Sequence, residues 1–271
     1  MNVLFTGHKG FLGREIIPEL SDACHVNTYE GDLNNFSELL NFTKKNKIQK
    51  VIHAATRGGR RTRIDSHREL ANNISIGLNV VRLELPVLSM CSGAIYGRQE
   101  NISEAKEIEA SNRYPNDYYG QSKFLLREIL KSERQVRFLR FFNVFGRSET
   151  EDRFLTGNVK MALNGKPMQV FQDFKMDFFY VKDTIPVMLD WLNEKDIPSE
   201  INMVYPKKYF LSQICELINE LTRKKVKVNI LNTVRGKDYC GDGTLLMTLD
   251  YQTLGLSQGI SEIIRVQKRQ F

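Results

Sequence analysis

The 271-residue chain has little of what marks several classes of protein: four cysteines, four histidines, seven prolines and one tryptophan. Cys24, Cys91, Cys215 and Cys240 form no CxxC pair, and His8, His25, His53 and His67 are scattered without a metal-ligand motif. These patterns exclude a disulfide scaffold and a zinc module, and predict reduced, structural thiols and no metal site. No window approaches the ~18 apolar residues of a membrane span, and Met1-Asn2-Val3-Leu4-Phe5-Thr6 does not open a secretory leader. The expectation is a cytoplasmic protein without membrane association. Repeats and low-complexity stretches are missing too, which excludes solenoids and extended disorder.

What is present is ordinary globular material, 41% hydrophobic and 26% charged, long enough for one large domain or a large and a small one. Lysine and arginine number 39 against 32 acids, a net charge of +7 with pI ≈ 9.1. Net charge addresses partners and solubility, not fold. The basic clusters Lys44, Lys45, Lys47, Lys50 and 223–227 lack the interleaved aromatics of a single-strand binding surface and read as solvated helix ends and turns, so no nucleic-acid partner is expected.

Apolar periodicity alternates between strand and helix. Strands are predicted at Val3-Leu4-Phe5, Cys24 to Tyr29, Val51 to Ala55, Pro86 to Cys91 and Val136 to Phe141, with helices at 11–20, Phe36 to Lys45, 66–84 and 118–132 between them. This alternation predicts an α/β fold, a doubly wound parallel sheet with helices on both faces. Beyond Gly146 the rhythm changes: helix 153–164, strand Met168 to Phe171, strand Phe178 to Val181, helix 184–193, strand 201–205, helix 211–222 and strand 226–230. This half fits a smaller α+β lobe, with some segments returning to the main sheet. The dinucleotide-binding domain is placed at 1–147 plus about 178–206, and the substrate lobe at about 148–177 plus 207–271. Ligands in such folds bind at the carboxyl ends of the strands.

Three motifs sit at such ends. Thr6-Gly7-His8-Lys9-Gly10-Phe11-Leu12-Gly13 is a GxxGxxG loop between the first strand and the first helix. Its glycines permit a tight turn and close backbone approach to a pyrophosphate, whose charge a helix N-terminus favours. Tyr119-Gly120-Gln121-Ser122-Lys123 puts a phenol and an ammonium on one helix face. Lowering a phenol from its ordinary pKa of ~10 to ~7 takes ~4 kcal/mol of differential stabilisation, which a lysine and an oxidised nicotinamide could supply together. Ser92, leaving a strand in Met90-Cys91-Ser92-Gly93-Ala94-Ile95-Tyr96-Gly97, offers a hydroxyl to a substrate oxygen. Together the three describe a hydride-transfer site.

With Gly31-Asp32-Leu33, His53-Ala54-Ala55, Asn73, Arg140-Phe141-Phe142-Asn143-Val144-Phe145-Gly146 and Asp177-Phe178-Phe179-Tyr180-Val181-Lys182-Asp183, the chain resembles, nearly end to end, an extended short-chain dehydrogenase/reductase of the nucleotide-sugar branch. The resemblance implies a Rossmann-type sheet and assigns Tyr119 as general acid/base, Lys123 to its pKa and to the nicotinamide ribose, and Ser92 to the reacting oxygen. It also implies cofactor contacts at Gly7, Lys9, Gly10, Phe11, Leu12 and Gly13, at Asp32 (adenine) and Leu33, at Ala54, Ala55 and Asn73, and at Asn143, the junction of cofactor and sugar.

Departures from the family pattern narrow the activity. Sugar dehydratases carry an Asp-Glu pair where this chain has Gly93 and Ala94, two positions that would border the substrate. The reductases that make GDP-fucose also epimerise, using a cysteine and a histidine where Ala94 and Ser148 stand here. Simple reduction needs neither. The arginine that in relatives grips the nucleotide diphosphate before the Asp-Phe pair is replaced by Lys175-Met176, so Lys175, Arg235 or the loop bearing Arg57, Arg60 and Arg61 is expected to bind substrate phosphates. Lys9 favours NADP through the 2′-phosphate, whereas Glu30 is a candidate for the ribose contact of NAD. The expected activity is NADP(H)-dependent reduction of a nucleotide-linked 4-keto sugar. Alternatives are an NAD-dependent nucleotide-sugar 4-epimerase using the same three groups, and a non-catalytic nucleotide-binding subunit. Relatives often form homodimers through helices matching 66–84 and 118–132, and a homodimer is expected.

Overall fold

A computed structural model describes residues 1–59 and 64–269. Strand β1 (Asn2–Thr6) buries Val3, Leu4 and Phe5 completely and is followed by α1 (Phe11–Leu20). Next come β2 (His25–Thr28), α2 (Phe36–Lys45), β3 (Lys50–His53) and α3 (His67–Val81). Each of the two helices starts on a sequence-encoded cap. Asn35 accepts from the Glu38 amide, and Ser66 and Glu69 close a reciprocal capping box. Strand β4 (Val87–Ser92), buried at all six positions, leads through a short turn to β5 (Ile102–Ala105) and α4 (Tyr118–Leu130), then β6 (Val136–Phe141) and β7 (Val144–Phe145).

The sheet order is β2-β1-β3-β4-β6, closed by β10 (Glu200–Met203), and every pairing is parallel. Central strands buried along their whole length require cover on both faces. Helix α3 packs on α4, and α1 on α6 (Ile185–Leu192), one pair to each face as right-handed crossovers dictate. The chain runs outward from β1 to β2 and returns to the other side of β1 as β3, creating the switch point where ligands bind in open α/β sheets.

The remaining elements wall off one end. Helix α5 (Phe154–Leu163) precedes β8 (Met168–Gln172), which pairs parallel with β11 (Val228–Asn232) away from the main sheet, and α7 (Leu211–Thr222) packs on α5. The segment read as a strand over Phe178 to Val181 shortens to β9 (Phe179–Tyr180) and pairs with β7. Unforeseen were β12 (Tyr239–Gly241), parallel to β5, the short α8 (Thr244–Thr248), and the carboxyl-terminal α9 (Gly255–Lys268). Asp183 explains the start of α9, for its carboxylate accepts the Leu254 and Gly255 amides at 2.8 and 2.9 Å.

Lys50 corrects the surface reading of the basic clusters. It is 6% exposed, donates to the Trp191 and Leu192 carbonyls at 2.8 and 3.0 Å where α6 ends, and lies over the Trp191 ring. A helix C-terminus is a favourable seat for an ammonium, which is how the charge is tolerated here. Arg140 is fully buried, with Nη1 donating to the Tyr96 hydroxyl at 2.7 Å and Nη2 bonded to Glu200, so it braces the turn after β4 from behind. Among the described residues no helix is long and apolar enough to cross a membrane.

Candidate active site

The amino-terminal end of the cleft is a backbone cradle. Gly7 has φ +77°, and a Cβ there would lie 2.7 Å from the Ala55 amide nitrogen. A Cβ on Gly13 would lie 2.3 Å from the His8 carbonyl oxygen. Only glycine lets the loop after β1 close against the chain leaving β3. Gly10 is the N-cap of α1 and offers no side-chain cap, so the first amides of the helix remain open to an anion. This cradle fits a dinucleotide pyrophosphate. Thr6 and His53 join the two strands by a 2.8 Å hydrogen bond, and burial, helped by the Lys123 charge, pushes the imidazole down to about 3 and keeps it neutral. The strand read as reaching Ala55 ends at His53, which releases Ala54 to the cleft wall.

Ser92, Tyr119 and Lys123 converge on that cleft together with Leu12, Ala54 and Asn143. The convergence comes from close packing of α4 on the turn after β4: a Cβ on Gly120 would lie 2.9 Å from the Ala94 carbonyl oxygen. Asp117 caps α4 by accepting the Gly120 amide at 2.9 Å. The Ser92 hydroxyl accepts the Ala94 amide at 3.1 Å and lines the same part of the cleft as the Tyr119 phenol. Lys123 donates from Nζ to the Met90 carbonyl at 2.9 Å and stands 5.9 Å from the Tyr119 ring centre. Burial raises the Tyr119 phenol above its ordinary value against the pull of Ser92, and burial lowers Lys123. The protein alone thus leaves the phenol protonated, and the lowering expected from the YxxxK spacing is not supplied by Lys123 by itself.

The wider part of the cleft, about 730 Å³, runs from Lys9, Gly10 and Phe11 of the glycine loop across to Arg153, Phe171 and Leu211, a size typical of small-molecule sites. Asn143 is central, its Nδ2 donating to Met176 Sδ at 2.9 Å and its Oδ1 accepting from Arg153 Nη2 at 3.1 Å. Arg153, the N-cap of α5, also faces Glu149, with Nε 3.5 Å from Oε1. Glu149 accepts from the Thr156 hydroxyl at 2.8 Å, and burial pushes its carboxyl up to about 7 against the pull of Arg153. Arg153 and Glu149 escaped the sequence reading because neither belongs to a motif. The available signal was an Arg immediately before an apolar helix, in a chain that lacks the arginine of relatives before Asp177.

Several sequence candidates sit elsewhere. Lys175 lies over the Phe210 ring, and Arg235 over the same ring while paired with Asp238 at 2.9 Å; neither lines the cleft. Gly93 packs on the Phe142 ring and Ala94 is buried behind Ser92, so both shape the wall without lining it. The Arg57 side chain is exposed, and its backbone N–H and C=O are both held by Asn73 at 2.8 and 2.9 Å. Asn73 donates to the Ser122 hydroxyl as well, and so ties the loop after β3 to α4. Arg60 and Arg61 lie outside the described residues. Asp32 is exposed, with its carboxylate accepting both nitrogens of Asn34, and the Leu33 carbonyl accepts from Asn79. Lys9 and Phe11 line the wide part of the cleft, and Lys9 is paired with Glu30, which also bonds His8 at 2.8 Å.

A glycine cradle at the switch point of a parallel sheet, next to a Ser-Tyr-Lys constellation, defines a dinucleotide-dependent oxidoreductase fold of the extended short-chain dehydrogenase/reductase class. A profile of the NAD dependent epimerase/dehydratase family matches residues 3–203, and the chain belongs to that family. Its fold is similar to that of UDP-glucose 4-epimerase with UDP-glucose from Thermotoga maritima, at 18% identity and a TM-score of 0.83, covering 100% of this chain and 99% of that one. It also resembles GDP-mannoheptose C4 reductase from Campylobacter jejuni with NADP bound (17%, 0.81, 98% of each chain). A third similar structure is UDP-glucuronic acid 4-epimerase from Bacillus cereus with UDP-glucuronic acid and NAD (22%, 0.80, 100% of each chain).

Proposed function

We propose that the protein is an NADP(H)-dependent reductase of a nucleotide-linked 4-keto sugar. The observation that carries the reading is the meeting of Ser92, Tyr119 and Lys123 on a cleft that the glycine loop and Arg153 also line. Ser92 and Tyr119 hold the carbonyl oxygen of the substrate, and Tyr119 passes its phenolic proton to that oxygen as reduction proceeds. A phenol kept protonated by burial suits this role of acid. A nicotinamide dinucleotide held by the glycine loop and Lys123 would supply the hydride for this reduction. Lys123, buried against the end of β4, orients the ribose and restores charge balance as the proton leaves Tyr119. Arg153, together with the uncapped amides of α5, receives the substrate diphosphate in place of the arginine missing at Met176.

Reduction is favoured over dehydration because the positions of the dehydratase carboxylates are Gly93 and Ala94, both buried. The second reading is a nucleotide-sugar 4-epimerase, which the similar epimerase folds keep in view. NADP is favoured by Lys9 and Arg14, two cations at the rim of the cleft, with Glu30 as the opposing charge. The reading includes a cytoplasmic homodimer joined through α3 and α4, where Tyr118 and Ile129 are exposed, and a substrate lobe formed by 148–177 and 207–271. Incubating the enzyme with a panel of nucleotide-linked 4-keto sugars and NADPH tests the proposal. Stoichiometric NADPH oxidation with a reduced sugar product seen by NMR is expected. Interconversion of two sugars without net NADPH consumption would replace it with the epimerase reading.

A further inference from the structure

No role above falls to Arg98, two residues beyond Tyr96, although it lines the narrow part of the cleft. Its guanidinium forks onto Asp117, with Nε donating to Oδ2 at 3.1 Å and Nη2 to Oδ1 at 2.7 Å. Nη1 donates to the Gly59 carbonyl at 3.4 Å, and Cζ lies 5.6 Å from the Tyr119 ring centre. Both members of the ion pair are about four-fifths buried, at 20% and 18% exposure. Asp117 is the N-cap of the helix that carries Tyr119. Gly59, at φ +80°, crosses the phenol so closely that a Cβ would lie 2.9 Å from the ring. One guanidinium therefore joins the start of α4, the loop after β3 and the face of the tyrosine.

We propose that Arg98 is a positioning residue for Tyr119, clamping the ring between α4 and the loop at Gly59 and holding its own charge near the ring through the fork to Asp117. The proposal rests on the reading of Tyr119 as the acid/base. Around the phenol, among the described residues, β4 contributes Cys91 and Ser92, α4 contributes Asp117 and Lys123, the turn after Tyr96 contributes Arg98, and β12 contributes Tyr239 beside it. Asp117 and Arg98, bonded to each other, thus act on the phenol with opposite sign, Arg98 lowering it and Asp117 raising it. Such a fixed, partly buried bidentate pair keeps its geometry where an exposed lysine would not.

The opposition gives a test that a merely structural clasp would fail. Tyrosine is labelled at Cζ and its titration followed by NMR in the full-length protein, with Tyr119→Phe assigning the resonance. In Arg98→Gln the Tyr119 midpoint is expected to rise by about one pH unit. In Asp117→Asn, which breaks the same fork, it is expected to fall, and in Arg98→Lys, which keeps the charge without the fork, to stay within about half a unit of wild type. Movement of the glutamine and asparagine variants in the same direction, or an unmoved midpoint in Arg98→Gln, overturns the proposal. Should Arg98→Gln not fold, a rise in Arg98→Lys of about one unit overturns it equally. The titration needs no substrate, so a failed search for keto-sugar reduction would leave this result standing on its own.

Discussion

On one side of the cleft the walls are residues within a few positions of a strand end: Gly10 after β1, Ala54 after β3 and Ser92 at the end of β4. At the substrate end the walls come from Asn143, Glu149 and Arg153, from Phe171 on β8, and from Leu211 on α7, spread over some seventy residues and brought together only by packing. The first region is dictated by backbone geometry, since a parallel sheet must turn at its strand ends and a tight turn near a helix start needs glycine. The second is dictated by side chains whose partners are distant in sequence. The lesson is that the cradle can be recognised locally, whereas side chains such as Arg153 reach the cleft only through packing of elements remote in sequence.

Substitutions can break or sharpen that contrast. The largest effect is expected where the two regions meet: Tyr119→Phe should cost about 10²- to 10⁴-fold in turnover while NADPH binding, measured by fluorescence titration, is preserved. Loss of binding along with turnover would mean that Tyr119 is needed to build the cradle. On the substrate side, Arg153→Ala should raise KM for the nucleotide sugar about 10- to 100-fold, as loss of a charge-assisted contact does, with KM for NADPH almost unaffected. Equal rises in both constants would mean the cleft is not divided in this way.

Glu149 tests the same wall through stability. Its carboxyl in the folded protein is raised to about 7 from an ordinary 4.5, so between those values the folded state holds a proton that the unfolded chain has lost. Stability from this group is fully present below pH 4.5 and is lost as pH rises through 7, by about 3 kcal/mol. Glu149→Gln cannot titrate, so urea denaturation at pH 4.5 and 7.5 should show the wild type losing about 3 kcal/mol relative to the variant. Parallel losses would show that the group is not held protonated. The smallest effect belongs to the cofactor rim: Lys9, three-quarters exposed and paired with Glu30, should on change to Ala weaken NADPH only a few-fold and leave NADH unchanged.

Most strands and helices were legible because apolar runs are local. Asn35 and Ser66 start their helices by bonds to residues three positions away or fewer. The helix α9 was not legible, because its start depends on Asp183, some seventy residues earlier. Lys50 looked like one more surface lysine and is held instead by the end of α6, more than a hundred residues away. Within the site, Ser92, Tyr119 and Lys123 could be singled out by spacing and found together. Lys175 and Arg235 looked equally eligible as phosphate ligands, yet both turn to Phe210. Nothing in their immediate sequence distinguishes a cation that faces a cleft from one that covers a ring.

The sequence by itself determined the parallel sheet, the glycine cradle at its switch point and the Tyr-Lys pair on one helix face, because each depends on φ, on burial of a short run or on a four-residue helical repeat. The tertiary structure alone decided which charges meet. Arg153 faces Asn143 and Glu149, Arg98 closes on Asp117 and Gly59 over Tyr119, and Lys9 is engaged by Glu30. Those pairings are fixed by distances between elements remote along the chain. A long charged side chain has enough reach and rotational freedom for its neighbours in space, and not those in sequence, to choose its partner.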